Sequence, residues 1–494
     1  MRELQTTLYD NRGYTDENVL YKHRLIDPVQ LSKNITFLYG KDSDMFPLLT
    51  NTEGQGFTKS IKPKLLNDTQ YEWSVMGRMV HTSVVFGLQN AANVKPGLGF
   101  TPFGVIFEDD RFIPQYGAYS PDGLHQVRIQ SKEKLANGKW LYEMILQGSN
   151  VNEFVDLGNF ISGKSWVMTV PTVAASKSDG NASNSMSPGK MSNQFGFNRF
   201  SKNIAGNVAN KITVFEFDTE SGGKTNLWMP FEMKLFEIDR RILLEHDLWF
   251  STYNRDANGQ ITLFDKETGE PIPRGAGIKE ILTYGGNYDT YAAPTLTISK
   301  LNSVVDRIFA NRIDKQPMEL VLYTGAGGRR AFNQALQDDA NSRQLFYALS
   351  EKIIGGGKTG YMTYGNYFDQ FRTIDGYILT IRECQMFNQG LMAELDRKNG
   401  NMINNFPAFS YNMVFIDHSM TDDGERNVQL VGEAGREIIT GVYKGMSPLP
   451  AAWGAIGESK LISTRKDVAS YEVMVSQGIV MKNWTTSFWL APSL

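Results

Sequence analysis

At 494 residues, 41% hydrophobic and 21% charged, the chain has room for about two to four globular domains. A formal net charge of −3 excludes the basic footprint of a dedicated nucleic-acid binder, and a single cysteine, Cys384, excludes a disulfide framework and any thiolate metal cluster. The 46 glycines and 21 tyrosines favour turn-rich β structure over a helical bundle.

Residues 1–20 lack the apolar core of a secretory signal and no apolar run reaches the length of a membrane span, so a cytoplasmic protein is expected. Residues 1–90 read as an arm, with short apolar patches at Ile35–Leu38 and Trp73–Met76 between polar spacers. From Gly97 to Gln147 the pattern turns to strands: Val105–Phe107, then a hairpin with Val127 and Ile129 alternating on one limb and Trp140, Tyr142 and Met144 on the other. Asn137-Gly138 supplies the positive-φ turn that a tight reversal requires. Ala174–Gln194 is too polar to offset its ordering entropy and is expected as a surface loop held from outside the subunit's own core. The alternating run Lys211–Phe217 then predicts a strand.

Pro230–Ser251 predicts a long amphipathic helix, because Phe231, Leu235, Ile238, Ile242 and Trp249 fall at helical spacing, with Met233, Phe236, Leu244 and Leu248 widening the stripe. Pro230 suits a first turn, and Glu232, Lys234, Glu237, Arg240, Arg241 and Asp247 form the opposite, charged face. Beyond it, Ile298–Ala310 reads as a helix, Met318–Tyr323 as a buried strand and Ala331–Ile354 as a second long helix. Strands are expected at Gly376–Ile381, Ala408–Phe415, Val428–Val431, Ile438–Val442, Tyr471–Val475 and Ile479–Met481. Helices and strands interleave without a βαβ rhythm, which predicts an α+β fold.

Several patterns imitate chemistry without completing it. Met318–Leu336 is a strand, a glycine turn (Gly325, Gly327, Gly328) and a helix, but Arg330 occupies the third glycine position of a dinucleotide fingerprint. Gly355–Gly360 places Lys358 and Thr359 as a phosphate loop would, yet Lys352 replaces the leading glycine and a helix rather than a strand runs into it. Asn254–Asp265 spaces oxygen ligands like a calcium loop, but ends in a short Asp and is followed by Pro271 and Pro273 instead of a helix; a hairpin turning at Asn258-Gly259 explains the same residues. His23, His81, His125, His246 and His418 show no metal-ligand spacing, and the doublets Asp109-Asp110, Asp338-Asp339 and Asp422-Asp423 read as solvated surface. No catalytic, cofactor or metal residue is assigned.

Four strings in chain order carry a resemblance: Arg240–Arg255 (RRILLEHDLWFSTYNR), Arg274–Leu282 (RGAGIKEIL), the strand-turn-helix at Pro317–Phe332, and Gly435–Pro448 (GREIITGVYKGMSP). Together they resemble the major capsid protein of tailed bacteriophages, the Hong Kong 97-type fold, most closely that of crAss-like phages of gut Bacteroides, with the likeness strongest over about residues 200–494. The resemblance implies an N-terminal arm with the start of the peripheral domain at 1–90, an extended β-hairpin loop with an inserted β subdomain at 91–225, a peripheral domain with the spine helix at 226–295, an axial domain at 296–435, and returning C-terminal strands at 436–494. It also implies a virion protein that forms hexamers and pentamers with itself and meets a portal, auxiliary or decoration proteins and a separate scaffold. Packaged DNA would be touched non-specifically, and no membrane would be involved. Asn137, Gly138, Lys139 and Trp140, at the tip of the extended loop, would contact a neighbouring subunit. An enzyme acting on nucleotides or carbohydrates through the glycine turns, and a tail or baseplate subunit, are the alternatives.

Overall fold

Leu320–Thr324 (LVLYT) and Met413–Asp417 (MVFID) are buried at every residue, because both faces of the sheet they form are covered. The computed structural model describes Leu48 and residues 64–77, 79–173, 176, 183–205, 212–218, 224–309, 320–338, 370–372, 378–421, 423–446 and 465–493. The two strands lie antiparallel at the centre of a six-stranded sheet ordered Tyr288–Ala292, Phe488–Ser493, Met413–Asp417, Leu320–Thr324, Ile378–Glu383, Gln370–Arg372. Successive side chains point to opposite faces. Leu320, Leu322, Met413 and Phe415 pack with helices Ile298–Phe309 and Ala326–Asp338 through Leu301, Val304, Phe332 and Leu336. Val321, Tyr323, Val414 and Ile416 pack with Leu248, Trp249, Ile278, Leu282 and Phe387.

A second sheet is built round Val468–Met481, a strand of 14 residues. Gly196–Ala205 pairs along one side of it; Val428–Glu433 and Ile438–Lys444 follow each other along the other, and Lys64–Leu66 adds to Val428–Glu433 in parallel. The two strands expected at Tyr471–Val475 and Ile479–Met481 are therefore one. Gly478 carries the chain through, since a Cβ there would sit 2.7 Å from the Tyr71 hydroxyl, which donates to the Ile479 carbonyl at 2.9 Å.

The helix Trp228–Phe250 lies on this second sheet, with Phe236 and Leu244 against Phe200, Tyr471, Val473 and Val475. Its buried line differs from the expected stripe: Leu235, Ile238 and Ile242 are half-buried, whereas Arg240, Leu244, Glu245, Leu248 and Trp249 are buried. Arg240, expected on the charged face, packs its stem inward and pairs with Glu237 one turn back. Ala408–Phe415 is not a single strand. Ala408–Tyr411 forms a 3-10 turn whose Ser410 side chain is used elsewhere, and the strand begins at Met413. The helix expected from Ala331 starts earlier, at Ala326, and positions 339–354 of that expectation lie outside the described residues, as do residues 1–47 and 49–63 of the arm. The polar segment Ala174–Gln194 ends as a strand, Gly189–Gln194.

Residues Ser74–Lys190 form a compact unit distinct from the remainder of the chain. Six strands close into a barrel in the order Thr82–Leu88, Phe103–Phe107, Trp140–Gln147, Gln126–Lys134, Tyr116–Tyr119, Ser165–Pro171, which leaves no free edge. The expected hairpin is two of these staves, with Val127, Ile129, Tyr142 and Met144 turned inward. Phe107 sits at the centre of the barrel core, edge-on to Phe112 at 4.9 Å and Tyr142 at 5.5 Å between centroids. The barrel differs in extent from the sequence expectation: its first strand falls within the segment assigned to the arm, and Gly196–Ala205 belongs to the other unit.

Candidate interaction surfaces and buried polar sites

The glycine turn at Gly325–Arg330 packs closely and presents no open anion cradle. The amide of Ala326 donates to Asn388 Oδ1 at 2.8 Å and that of Gly327 to Ser410 Oγ at 2.8 Å, so side chains of the chain itself cap the helix start. A Cβ on Gly325 would meet Ser410 Oγ at 2.5 Å and one on Gly327 would meet the Tyr411 ring at 2.7 Å, which accounts for both glycines by packing. Arg329 is held by Glu383 at 3.2 Å. Lys358 and its loop lie outside the described residues.

The calcium-like stretch spends its oxygens on its own backbone. Asp256 Oδ1 accepts from the amides of Asn258 and Gln260 at 2.9 and 2.8 Å, and Asp265 Oδ1 from those of Glu267 and Thr268 at 2.7 and 2.9 Å. These bonds hold the Asp265 carboxyl below the usual carboxylate range. Asn254 Oδ1 faces the other way and accepts from Gln194 Nε2 and the Arg274 amide. The result is a ribbon of two successive Asx turns in which no residue from 256 to 274 is buried, bearing exposed Leu263, Phe264 and Ile272. Among the described residues, no three His, Cys, Asp or Glu side chains gather as a metal site. His23 and Asp422 fall outside them.

Asn137, Gly138, Lys139 and Trp140 form one turn at an end of the barrel. Gly138 has φ 81°, and Asn137 Oδ1 accepts from the Lys139 amide at 3.1 Å. Trp140 is half-buried between Lys132 and Lys134, whose ammonium groups lie 5.2 and 5.8 Å from its ring centroid, and Lys139 lies over exposed Phe86. At the same end Asp109 and Asp110 are both exposed, as expected of a solvated doublet, and Asp110 receives Lys132 at 2.8 Å and the Tyr142 hydroxyl at 2.8 Å.

Two buried polar groups escaped sequence reasoning. Glu245 is fully buried on the long helix, its Oε1 accepting from the Leu48 amide at 2.8 Å and Trp249 Nε1 at 2.7 Å. The only signal was its place between Leu244 and Leu248 on the helical wheel. His418 is buried with Nε2 at 3.1 Å from the Tyr323 hydroxyl. Burial first, with Arg426 and Arg382 adding positive charge, pushes its imidazole down to about 3. Above its ordinary value near 6.5 the ring is neutral folded or unfolded; between there and about 3 only the unfolded chain takes the proton, so stability is lost as pH falls through that window. At roughly 1.4 kcal/mol per pH unit, acidification from pH 6.5 to 4 is expected to cost about 3 kcal/mol through this group. Urea midpoints of wild type and His418→Gln across that range should diverge by this amount, the variant having the flatter profile.

A family model described as "Crassvirus major capsid protein" matches residues 4–494. No curated protein matches the chain. Among solved structures, one from Mycobacterium phage Bobi is similar at 10% identity over 66% of this chain and 81% of that one, with a TM-score of 0.33. The capsid of Cyanophage P-SCSP1u is similar at 9% identity over 66% and 81%, with a TM-score of 0.32. An encapsulin complex from Synechococcus elongatus is similar at 8% identity over 62% and 75%, with a TM-score of 0.31.

Proposed function

Because this chain belongs to the Crassvirus major capsid protein family, we propose that its copies close as hexamers and pentamers into an icosahedral phage head around double-stranded DNA. The family match over residues 4–494 carries this reading. Two surface features support it. Ile438–Lys444 pairs only with Val468–Met481 among the described residues, and it presents Ile438, Ile439 and Tyr443 to solvent, a hazard for a lone subunit that becomes a docking edge in a closed shell. The ribbon 256–274 buries nothing of its own, and so small a piece of sheet normally needs packing from elsewhere.

In this reading the protein is a structural component without a catalytic role, made in the host bacterial cytoplasm and resident in the virion. The net charge of −3 suits a wall that touches packaged DNA without gripping it, since phosphate affinity scales with the lysines and arginines engaged. A portal, auxiliary proteins and a separate scaffold complete the set of partners, and the Asn137–Trp140 turn contacts a neighbouring copy. The test is negative-stain imaging and sedimentation of the expressed full-length chain. Hollow polyhedral shells or ring-shaped capsomers are expected; a compact monomer that stays folded at high dilution and never assembles would overturn the reading. Lys139→Glu with Trp140→Ala is expected to lower shell yield and leave the barrel folded.

A further inference from the structure

The Asn137–Trp140 turn marks one end of the barrel; the other end is built from the loops 89–102, 120–125 and 148–164, each of which joins two staves there. These loops are bolted together. The Gly99 amide donates to the Val151 carbonyl at 2.9 Å and the Val155 amide to the Pro96 carbonyl at 2.9 Å. Asn159 Nδ2 donates to Asp122 Oδ2 at 2.7 Å, while the Asn159 carbonyl receives Trp166 Nε1 from the barrel core at 3.1 Å. On this braced platform Val94, Leu98, Leu124, Val151, Leu157 and Ile161 are exposed, Leu124 at 77%, Val94 at 68% and Ile161 at 60%. Phe154 adds a further ring under Lys95, 5.4 Å from its centroid.

Side chains of these sizes at these exposures present on the order of 500 Å² of apolar surface, the size of a monomer's largest, often functional, patch and more than half of the ~800 Å² each partner brings to a stable interface. A rigid apolar patch has little ordering entropy left to lose on contact. We propose that this crown docks on the crown of a second copy of the chain. The inference rests on the shell reading, and area selects the occupant: the exposed surface approaches what each partner of a stable dimer brings, and every copy of a major shell component carries the same crown. A predominantly apolar patch is also compatible with itself, as a contact between identical surfaces requires.

Cys384 is buried and burial pushes its thiol up to about 12, so an added surface cysteine reacts alone. The experiment treats full-length Leu124→Cys and Val151→Cys particles with a short bis-maleimide and resolves the chains under denaturing conditions. Covalent dimers are expected from both variants and none from wild type. A triple Leu124→Asp, Val151→Asp, Ile161→Asp chain is expected to lose about tenfold or more in shell yield, because three carboxylates would have to be desolvated at the contact. Absence of cross-linked chains from both cysteine variants overturns the crown contact whatever the yield, as would be seen if a different protein or solvent covers this end. If the triple variant misfolds, as read by circular dichroism, the cross-links decide. A wild-type chain that makes no shells sinks the shell reading instead, and cross-linking of the soluble protein then still tests the crown.

Discussion

Glu245→Ala is expected to lower the unfolding free energy by about 3–5 kcal/mol, seen as a large drop in the urea midpoint of soluble protein. The side chain is fully buried, and its removal strands two donors, the Leu48 amide and the Trp249 indole N–H, that now share Oε1. Each buried donor without an acceptor costs about 1–3 kcal/mol, and the vacated volume adds a cavity cost. Glu245→Gln keeps an acceptor oxygen at the same reach and is expected to lose about 1–2 kcal/mol. Equal losses in the two variants would mean that the hydrogen bonds to Leu48 and Trp249 contribute little. Leu48 is itself buried among Trp249, Met386 and Phe387, so the same change loosens the point at which this part of the chain is pinned to the core.

Trp489→Ala is expected to be as severe, about 4–5 kcal/mol, and to leave most of the protein insoluble on expression. Trp489 is wholly buried, lies edge-on to Trp249 at 6.1 Å and Phe250 at 5.8 Å, and donates to Asn412 Oδ1 at 3.0 Å. It therefore joins the last strand, the long helix and the turn before Met413. Trp489→Phe preserves most of the packing but strands the Asn412 oxygen and is expected to cost about 2 kcal/mol. A near-ultraviolet circular dichroism spectrum unchanged in the soluble alanine variant would rule out this bridging role.

Where side-chain pattern decides the outcome, sequence was enough. The barrel staves at Val127–Ile129 and Tyr142–Met144, the helices starting at Ile298 and near Pro230, and the buried run at Leu320 all follow from local periodicity and turn chemistry. Where distant segments decide, it was not. Ala408–Tyr411 looks like strand by composition, but Ser410 is recruited to cap a helix 83 residues away in sequence. Gly478 looks like a break, yet it is the gap through which Tyr71 reaches the strand. The turn at Asn137–Trp140 is legible because its residues are contiguous; the apolar crown is not, because barrel closure alone gathers Val94, Leu124 and Ile161 from three loops. Glu245 could not be separated from the solvated acids of its helix without knowing that Leu48, distant in sequence, closes over it beside Trp249.

The chain passes into and out of the barrel unit through two strands, Gln70–Val75 and Gly189–Gln194, that pair with each other. Their pairing fixes the two junctions about 5 Å apart, a gap that a two-residue reverse turn can bridge. Ser74–Lys190 is thus a cassette: it can be lengthened, exchanged or trimmed to a hairpin while the register of every other sheet stays as it is. A change of length within this cassette is taken up by one ribbon of two strands and is not passed on to the frame around it.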